Sequence, residues 1–456
     1  PITSNIASGV LSSIDASGMF GLTTGLTMEG NTGSVLFPQT ITGSNLIDTL
    51  IGAAAADTIN GNGGNDIING GASIDTINGG AGNDTLDGDG GADIISGGAG
   101  NDVLSIDTDV DFITLATPEV FDGGEGTDIV RVSDSNGTTI ASTDLLGLKN
   151  VEILDMRGEA ALSVTLNDQF FTNNGSTTFS ITQSKSAVLP SEAGALTVVA
   201  SSLTSANSIT AALNSSANID DSLTGGAGDD TFTLLSTAVA ATALEAADTI
   251  TGGKGDDTLA ITIDDFDVGA SGTNITLSLV TGIEKITVTS GNDKGAFLTL
   301  TDGQFVTGAT AATSGNGTTA AIVGLIDGSG MTGSGPLVVN GAAEDDSKLE
   351  MIGGAGADIL TGGSKADTIS GNGGNDILNG EAGIDIITGG AGNDELNITD
   401  VSDFIGLTAV ETFDGGTGTD TVTFDEDATT TVAASDLQGL KNVEKLSFEG
   451  TGANTV

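Results

Sequence analysis

Aliphatic residues return every nine positions along two stretches of this chain. In the first stretch they are Leu50, Ile59, Ile68, Ile77, Leu86, Ile95 and Leu104, each two residues after an aspartate, at Asp48, Asp57, Asp66, Asp75, Asp84, Asp93 and Asp102. A glycine opens every unit, at Gly43, Gly52, Gly61, Gly70, Gly79, Gly88 and Gly97. The unit reads G-G-x-G-x-D-x-U-x with U apolar, as in Gly79-Gly80-Ala81-Gly82-Asn83-Asp84-Thr85-Leu86-Asp87. Glycines permit a tight turn, and x-U-x is just long enough for a short strand with one inward side chain. The pattern predicts an all-β chain built as a parallel β-roll or β-solenoid.

The second stretch keeps the phase, with Asp358, Asp367, Asp376, Asp385 and Asp394 followed by Leu360, Ile369, Leu378, Ile387 and Leu396. Shorter pieces end at Asp128, Asp230, Asp257 and Asp420, and Asp248 stands nine residues before Asp257. Residues 97–164 align with 389–456 at an offset of 292, matching Leu148-Lys149-Asn150-Val151-Glu152 to Leu440-Lys441-Asn442-Val443-Glu444. Upstream, Gly61-Asn62-Gly63-Gly64-Asn65-Asp66 matches Gly371-Asn372-Gly373-Gly374-Asn375-Asp376 at an offset of 310, and 310 minus 292 is 18. A solenoid can gain or lose a complete coil without reversing which side chains face inward, so two nonapeptides make one 18-residue coil.

Three tandem modules follow from these repeats, joined by further β-strand regions. Module 1 is 1–167 with an array at 43–105, module 2 is 168–300 with short arrays near 225–233 and 252–260, and module 3 is 301–456 with an array at 353–397. Leaders such as Ile14-Asp15-Ala16-Ser17-Gly18 precede the arrays, and strand regions around Glu152, Glu284 and Glu444 close them. No long amphipathic helix is apparent; Ala238 to Ala247 and Asp144 to Leu148 are the expected short helical turns. The third module is expected to continue past residue 456.

Charge supplies the chemistry. In an 18-residue coil, aspartates 18 apart stack along one edge, separated by about 4.8 Å. Each pair then repels by about 1 kcal/mol in water and about 3.5 kcal/mol at an effective dielectric of 20. Such a ladder needs cations. Carboxylates and carbonyls are hard oxygen donors that suit Ca²⁺ and its flexible coordination better than octahedral Mg²⁺. With no Cys and no His, zinc and copper lack their usual ligands. Candidate ligands are Asp57, Asp66, Asp75, Asp84, Asp93, Asp102, Asp128, Asp230, Asp248, Asp257, Asp358, Asp367, Asp376, Asp385, Asp394 and Asp420. Asp and Gly are also ordinary turn residues, but the shared phase argues against simple turn capping. Residues 43–60 form a degenerate cap, since Gly52-Ala53-Ala54-Ala55-Ala56-Asp57 has lost its inner glycines. Asp107 to Asp111 imitates an EF-hand start, with Phe112 where the loop requires glycine.

Eleven basic and 62 acidic residues leave a formal charge of −51, which makes nucleic acid and anionic membranes poor partners. The absence of His and Cys excludes Ser-His-Asp triads, Cys-His dyads, H-E-x-x-H sites and thiol chemistry. No apolar run reaches the roughly 18 residues that span a bilayer, and the first 30 residues lack a basic region followed by an apolar core.

The nonapeptide arrays resemble the RTX (repeats-in-toxin) family. Together with Thr/Ser/Ala-rich strands and segments such as Gly282-Ile283-Glu284-Lys285-Ile286, they look like RTX-type bacterial surface-layer proteins. The resemblance implies a secreted, extracellular, non-enzymatic protein that uses several Ca²⁺ ions. It further implies type I secretion, folding outside the cell and self-assembly into a layer or filament. Its expected partners are further copies of itself and cell-surface polysaccharide. Two readings stay open beside it: the stalk region of an RTX adhesin, and the RTX part of a secreted enzyme.

Overall fold

The computed structural model describes residues 3–5, 13–18, 27–29, 37–106, 120–133, 137, 139–157, 160–183, 195–204, 206–213, 220–236, 248–263, 273–291, 293–301, 304–305, 323–398, 411–425, 432 and 435–449. Asp107 to Asp111 and Ala238 to Ala247 lie outside these residues. By internal contacts the chain divides into two compact units, Pro1–Ala211 and Ala212–Val456.

In the first unit the strand pairings among the described residues are parallel. One sheet pairs Thr139–Ile140, Leu162–Thr165 and Leu196–Val199, and over the array successive turns of the chain build two further, facing sheets. One stacks Thr40–Thr42, Thr58–Gly63, Thr76–Ala81, Ile94–Ala99, Val120–Glu125 and Leu148–Lys149. The other stacks Thr49–Ile51, Ile67–Asn69, Thr85–Asp87, Val103–Ile106, Ile129–Ser133, Ile153–Arg157 and Thr178–Gln183. Each short strand turns its one U residue inward. Ile59, Ile77, Ile95, Phe121 and Leu148 therefore stack in register, opposed by Leu50, Ile68, Leu86, Leu104, Val130 and Leu154. All of these are at most 1% exposed. Such a column removes apolar surface from water at roughly 25 cal/mol per Å².

The second unit repeats the plan. Ile326, Met351, Ile369, Ile387, Phe413 and Leu440 form one ladder, and Val339, Leu360, Leu378, Leu396, Val422 and Leu446 the other. Upstream, Phe232, Leu259 and Ile286 stack in register before Ile326.

The 18-residue coil holds inside the arrays, where Asp66 bonds to Asp84. It lengthens to 26 residues at Asp102 to Asp128, 24 at Asp128 to Glu152, and 27 at Asp230 to Asp257. The closing strand regions thus stay in parallel register as longer coils. The inward ladder stays in phase across these longer coils, because a strand in register keeps its pleat.

The segment Asp144 to Leu148 forms a 3₁₀ turn over Asp144–Gly147, echoed at Asp436–Gly439. An α-helix at Asp168–Asn174 was not foreseen; it is short, and its apolar pair Phe170-Phe171 shows no helical period. Its sequence signals are the N-cap Asn167, which accepts from the Phe170 N–H, and the left-handed C-cap Gly175. Phe170 and Phe171 pack edge-on against Phe179.

Candidate calcium site

Every aspartate of the nonapeptide turns points inward at the edge of the roll. All the predicted ligands, from Asp57 to Asp420, are at most 4% exposed. A buried carboxylate is costly unless it is hydrogen-bonded or neutralised, and each of its two oxygens is handled differently.

Oδ1 belongs to the ladder. It accepts the backbone N–H of the aspartate one coil earlier: Asp48 N–H to Asp66 at 2.7 Å, Asp66 to Asp84 at 2.7 Å, Asp84 to Asp102 at 2.8 Å and Asp102 to Asp128 at 2.8 Å. The opposite edge runs Asp57 to Asp75 and Asp75 to Asp93, both at 2.6 Å. In the second unit the series are Asp358 to Asp376 at 2.8 Å, Asp376 to Asp394 at 3.0 Å, Asp394 to Asp420 at 2.8 Å, and Asp367 to Asp385 at 2.7 Å. Asp230 N–H donates to Asp257, and Asp221 N–H to Asp248, both at 2.8 Å. Asp221 was missed in the sequence, although it stands nine residues before Asp230.

Oδ2 divides the aspartates into two kinds. In Asp48, Asp57, Asp230, Asp358 and Asp367 it accepts the N–H of the residue four earlier, Ser44, Ala53, Gly226, Gly354 or Gly363, at 2.6–2.7 Å. These carboxylates are closed by their own turn. In Asp66, Asp75, Asp84, Asp102, Asp128, Asp257, Asp376, Asp394 and Asp420, Oδ2 is buried with no hydrogen-bond partner. Asp93 and Asp385 occupy the same register.

Backbone conformation separates the two kinds. The second residue of the open turns is left-handed, as in Asn62 (φ 72°), Gly80 (φ 112°) and Asn372 (φ 66°), whereas Ser44, Ala53, Gly226, Gly354 and Gly363 are not. A left-handed residue swings its N–H away from the carboxylate. Closed turns are the first on their edge. Open turns lie on a preceding nonapeptide turn, and an added Cβ at Gly80 would strike the Asn62 carbonyl of the coil below.

The vacant Oδ2 atoms fit a hard cation. Beside Gly79, the space a Cβ would take is bounded by Asp84 Oδ2 and the Gly97 carbonyl oxygen, and the same pairing recurs at Gly61 with Asp66 and Gly79. No three acidic side chains among the described residues converge on one point, so turn carbonyls such as those of Gly97 and Gly79 would complete the donor set. Mixed carboxylate and carbonyl coordination is the Ca²⁺ pattern.

Electrostatics agrees with that donor set. Burial, reinforced by the neighbouring carboxylates, pushes Asp66 and Asp75 up to about 7, Asp376 to about 7 and Asp257 to about 8. Burial likewise raises Asp102 and Asp128 to about 6. Carboxylates held this far above their usual range lack a countercharge, which a bound divalent cation supplies.

A second, neutral ladder runs outside the first. Asn83 N–H donates to Asn65 Oδ1 and Asn101 N–H to Asn83 Oδ1, both at 2.9 Å, and Asn393 N–H to Asn375 Oδ1 at 2.8 Å. The signal was present as the recurring Asn-Asp pairs Asn65-Asp66, Asn83-Asp84, Asn101-Asp102, Asn375-Asp376 and Asn393-Asp394. It went unread because asparagine is common in any turn.

The family model for the RTX calcium-binding nonapeptide repeat matches residues 42–77, 69–104, 220–235, 242–260, 352–387 and 371–398. Comparison with curated proteins and with solved structures finds no match. The matched segments are those whose stacked turns carry the carboxylate ladders. These segments carry RTX calcium-binding nonapeptide repeats, which bind Ca²⁺, and their several copies imply several ions.

Proposed function

We propose that this protein is a non-enzymatic, extracellular structural protein that folds on meeting calcium after secretion and then self-assembles into a surface layer or filament. The observation that carries the reading is the row of buried Oδ2 atoms without partners at Asp66, Asp84, Asp102 and Asp128. Without a cation, the like charges in that row oppose the fold. A chain of net charge −51 stays expanded at cytosolic calcium and passes an export channel unfolded. Extracellular calcium modules bind at about 10⁻⁴ to 10⁻³ M, and binding to the folded form alone adds stability by mass action. Calcium level therefore selects where the chain folds.

Self-association is supported by apolar side chains left on the sheet surfaces. Ile359 and Ile377 sit opposite each other on neighbouring strands at 40% and 39% exposure, and Ile67, Ile94 and Ile386 are each at least 50% exposed. Contiguous exposed apolar residues mark interaction surfaces, and the Ile359–Ile377 pair supplies such a contact. Among the described residues no helix is long and apolar enough to cross a membrane.

The test is a calcium titration of the purified chain, with magnesium as control, followed by circular dichroism and electron microscopy on the same samples. A calcium-specific gain of β structure together with sheets or filaments is expected. Soluble rods would favour an adhesin stalk, and β structure that persists in chelator would sink the calcium switch.

A further inference from the structure

The aspartate ladders run one step beyond the last nonapeptide. Glu152 Oε2 accepts the Asp128 N–H, Glu284 Oε2 the Asp257 N–H, and Glu444 Oε2 the Asp420 N–H, each at 2.8 Å. These are the bonds that Oδ1 makes elsewhere. Backbone register is also kept: Ile153, Lys285 and Lys445 donate to the carbonyls of Asp128, Asp257 and Asp420 at 3.1, 3.0 and 3.0 Å, as Thr85 does to Asp66 at 2.8 Å. Each glutamate thus holds an aspartate's place.

The turn before it explains the longer side chain. An added Cβ at Gly123, Gly252 or Gly415 would meet the carbonyl oxygen of Asn150, Gly282 or Asn442, which therefore stand where the next unit's first glycine would be. A single residue, Val151, Ile283 or Val443, then separates that position from the glutamate, where Gly97 to Asp102 has four between. With the turn cut short, the additional methylene of Glu carries the carboxylate to the ladder.

Capping the aspartate N–H uses only one carboxylate oxygen. Glu284 Oε1 and Asp257 Oδ2 are both buried without a hydrogen-bond partner, as are Asp128 Oδ2 and Asp420 Oδ2, and Asp257 is 0% exposed. Asp229 and Asp256 add negative charge around Glu284. The neighbouring cation is turned elsewhere, with Lys285 Nζ 3.7 Å from Asp327 Oδ2. At Glu284 and Asp257, two carboxylates of adjacent coils each hold a buried oxygen without a partner and require a cation between them, and Glu152 and Glu444, half-buried and exposed, take the same ladder position.

We propose that these glutamates are metal ligands: each closes a terminal Ca²⁺ site with the aspartate of the preceding turn, Glu284 with Asp257, Glu152 with Asp128 and Glu444 with Asp420. The inference rests on the calcium reading of the nonapeptide turns, and all three glutamates lie outside the segments matched by the repeat family. The terminal ion bridges the array to the strand that follows it, Ile153–Arg157, Lys285–Ser290 or Lys445–Glu449. Calcium filling is thereby coupled to ordering of the closing strands.

The test compares the whole chain with Glu152→Gln, Glu284→Gln and Glu444→Gln, singly and together. Glutamine keeps an oxygen for the aspartate N–H and removes the charge. Bound calcium per chain is measured by equilibrium dialysis and atomic absorption at a concentration that saturates the unaltered protein. Circular dichroism of the same samples, in sucrose to keep every variant folded, reports the β content. One ion fewer is expected for each single change and three fewer for the triple. A full count at unaltered β content would overturn the proposal and leave the glutamates as backbone caps only. Asp84→Asn is the control: if it lowers the count and the glutamate changes do not, only this inference fails. If none of the variants lowers it, the calcium reading of the arrays fails as well.

Discussion

Replacing Asp84 with asparagine should stabilise the metal-free fold and reduce the stability that calcium adds. Asp84 sits between Asp66, whose N–H it accepts at 2.7 Å, and Asp102, to which its own N–H donates at 2.8 Å. With strands about 4.8 Å apart, each carboxylate pair repels by about 0.9 kcal/mol at the dielectric of water and about 3.5 kcal/mol at an effective dielectric of 20. Two neighbours double this to about 2 to 7 kcal/mol. Salt does not remove it, because the Debye length at physiological ionic strength is about 8 Å. Exchanging a charged acceptor for a neutral one in the Asp66 bond costs about 1 kcal/mol. Asp84→Asn should therefore stabilise the metal-free fold by about 1 to 6 kcal/mol. In about 10 mM calcium, a hundredfold above a Kd of about 10⁻⁴ M, each ion contributes about 2.7 kcal/mol. Losing one site removes that contribution, so the gain from Asp84→Asn should be about 3 kcal/mol smaller in calcium than in chelator. The chain has no Trp and no Tyr, so urea unfolding is followed by far-ultraviolet circular dichroism, once in calcium and once in chelator with sucrose. A loss of stability in chelator would refute the reasoning and make the Asp84 carboxylate a turn cap.

Other perturbations separate the layers of the structure. Between pH 4 and 7 the metal-free fold holds more protons than the unfolded chain, because burial raises Asp66 and Asp75 from 3.8 to about 7. Their contribution is fully present below 3.8 and lost as pH rises through about 7, so chelated protein should become more stable on acidification, while calcium binds the folded form more weakly over the same range. Urea unfolding in chelator and calcium binding to the folded chain, each at several pH values, check both signs. Leu86→Ala opens a cavity in the ladder between Ile68 and Leu104 and should cost about 2 to 5 kcal/mol in urea unfolding, with or without calcium. Gly82→Ala forces a Cβ onto the Gly64 carbonyl at φ 130°, and should cost more than about 2 kcal/mol, measured as lost calcium-induced β structure. Asn83→Ala removes the 2.9 Å bond from the Asn101 N–H on an exposed edge, and should cost about 1 kcal/mol equally in calcium and in chelator.

Much of this architecture could be read from residue order. One apolar residue per nonapeptide specified the inward column from Ile59 to Ile95, since a strand of three residues has a single inward side chain. The offset difference between the two array copies specified the coil, which the bonds between aspartates 18 apart display directly. Hard oxygen donors without Cys or His specified the ion.

Contacts between coils decided the rest. Gly353-Gly354-Ala355-Gly356 and Gly389-Gly390-Ala391-Gly392 are the same tetrapeptide, yet Gly354 bonds back to Asp358 while Gly390 is left-handed and leaves Asp394 Oδ2 without a partner. The difference is what lies beneath each turn. Gly390 stacks on the carbonyl of Asn372 in an earlier nonapeptide, whereas Gly354 lies against Met331, where no nonapeptide precedes it. The same limit applied to Glu152, Glu284 and Glu444, whose equivalence was legible but whose role was not, because the aspartates they cap lie 24 or 27 residues away. Short-range order specified which residues face inward. Which carboxylates are left open to a cation depends on the backbone of the adjacent coil, and only the stacked structure brings that backbone into place.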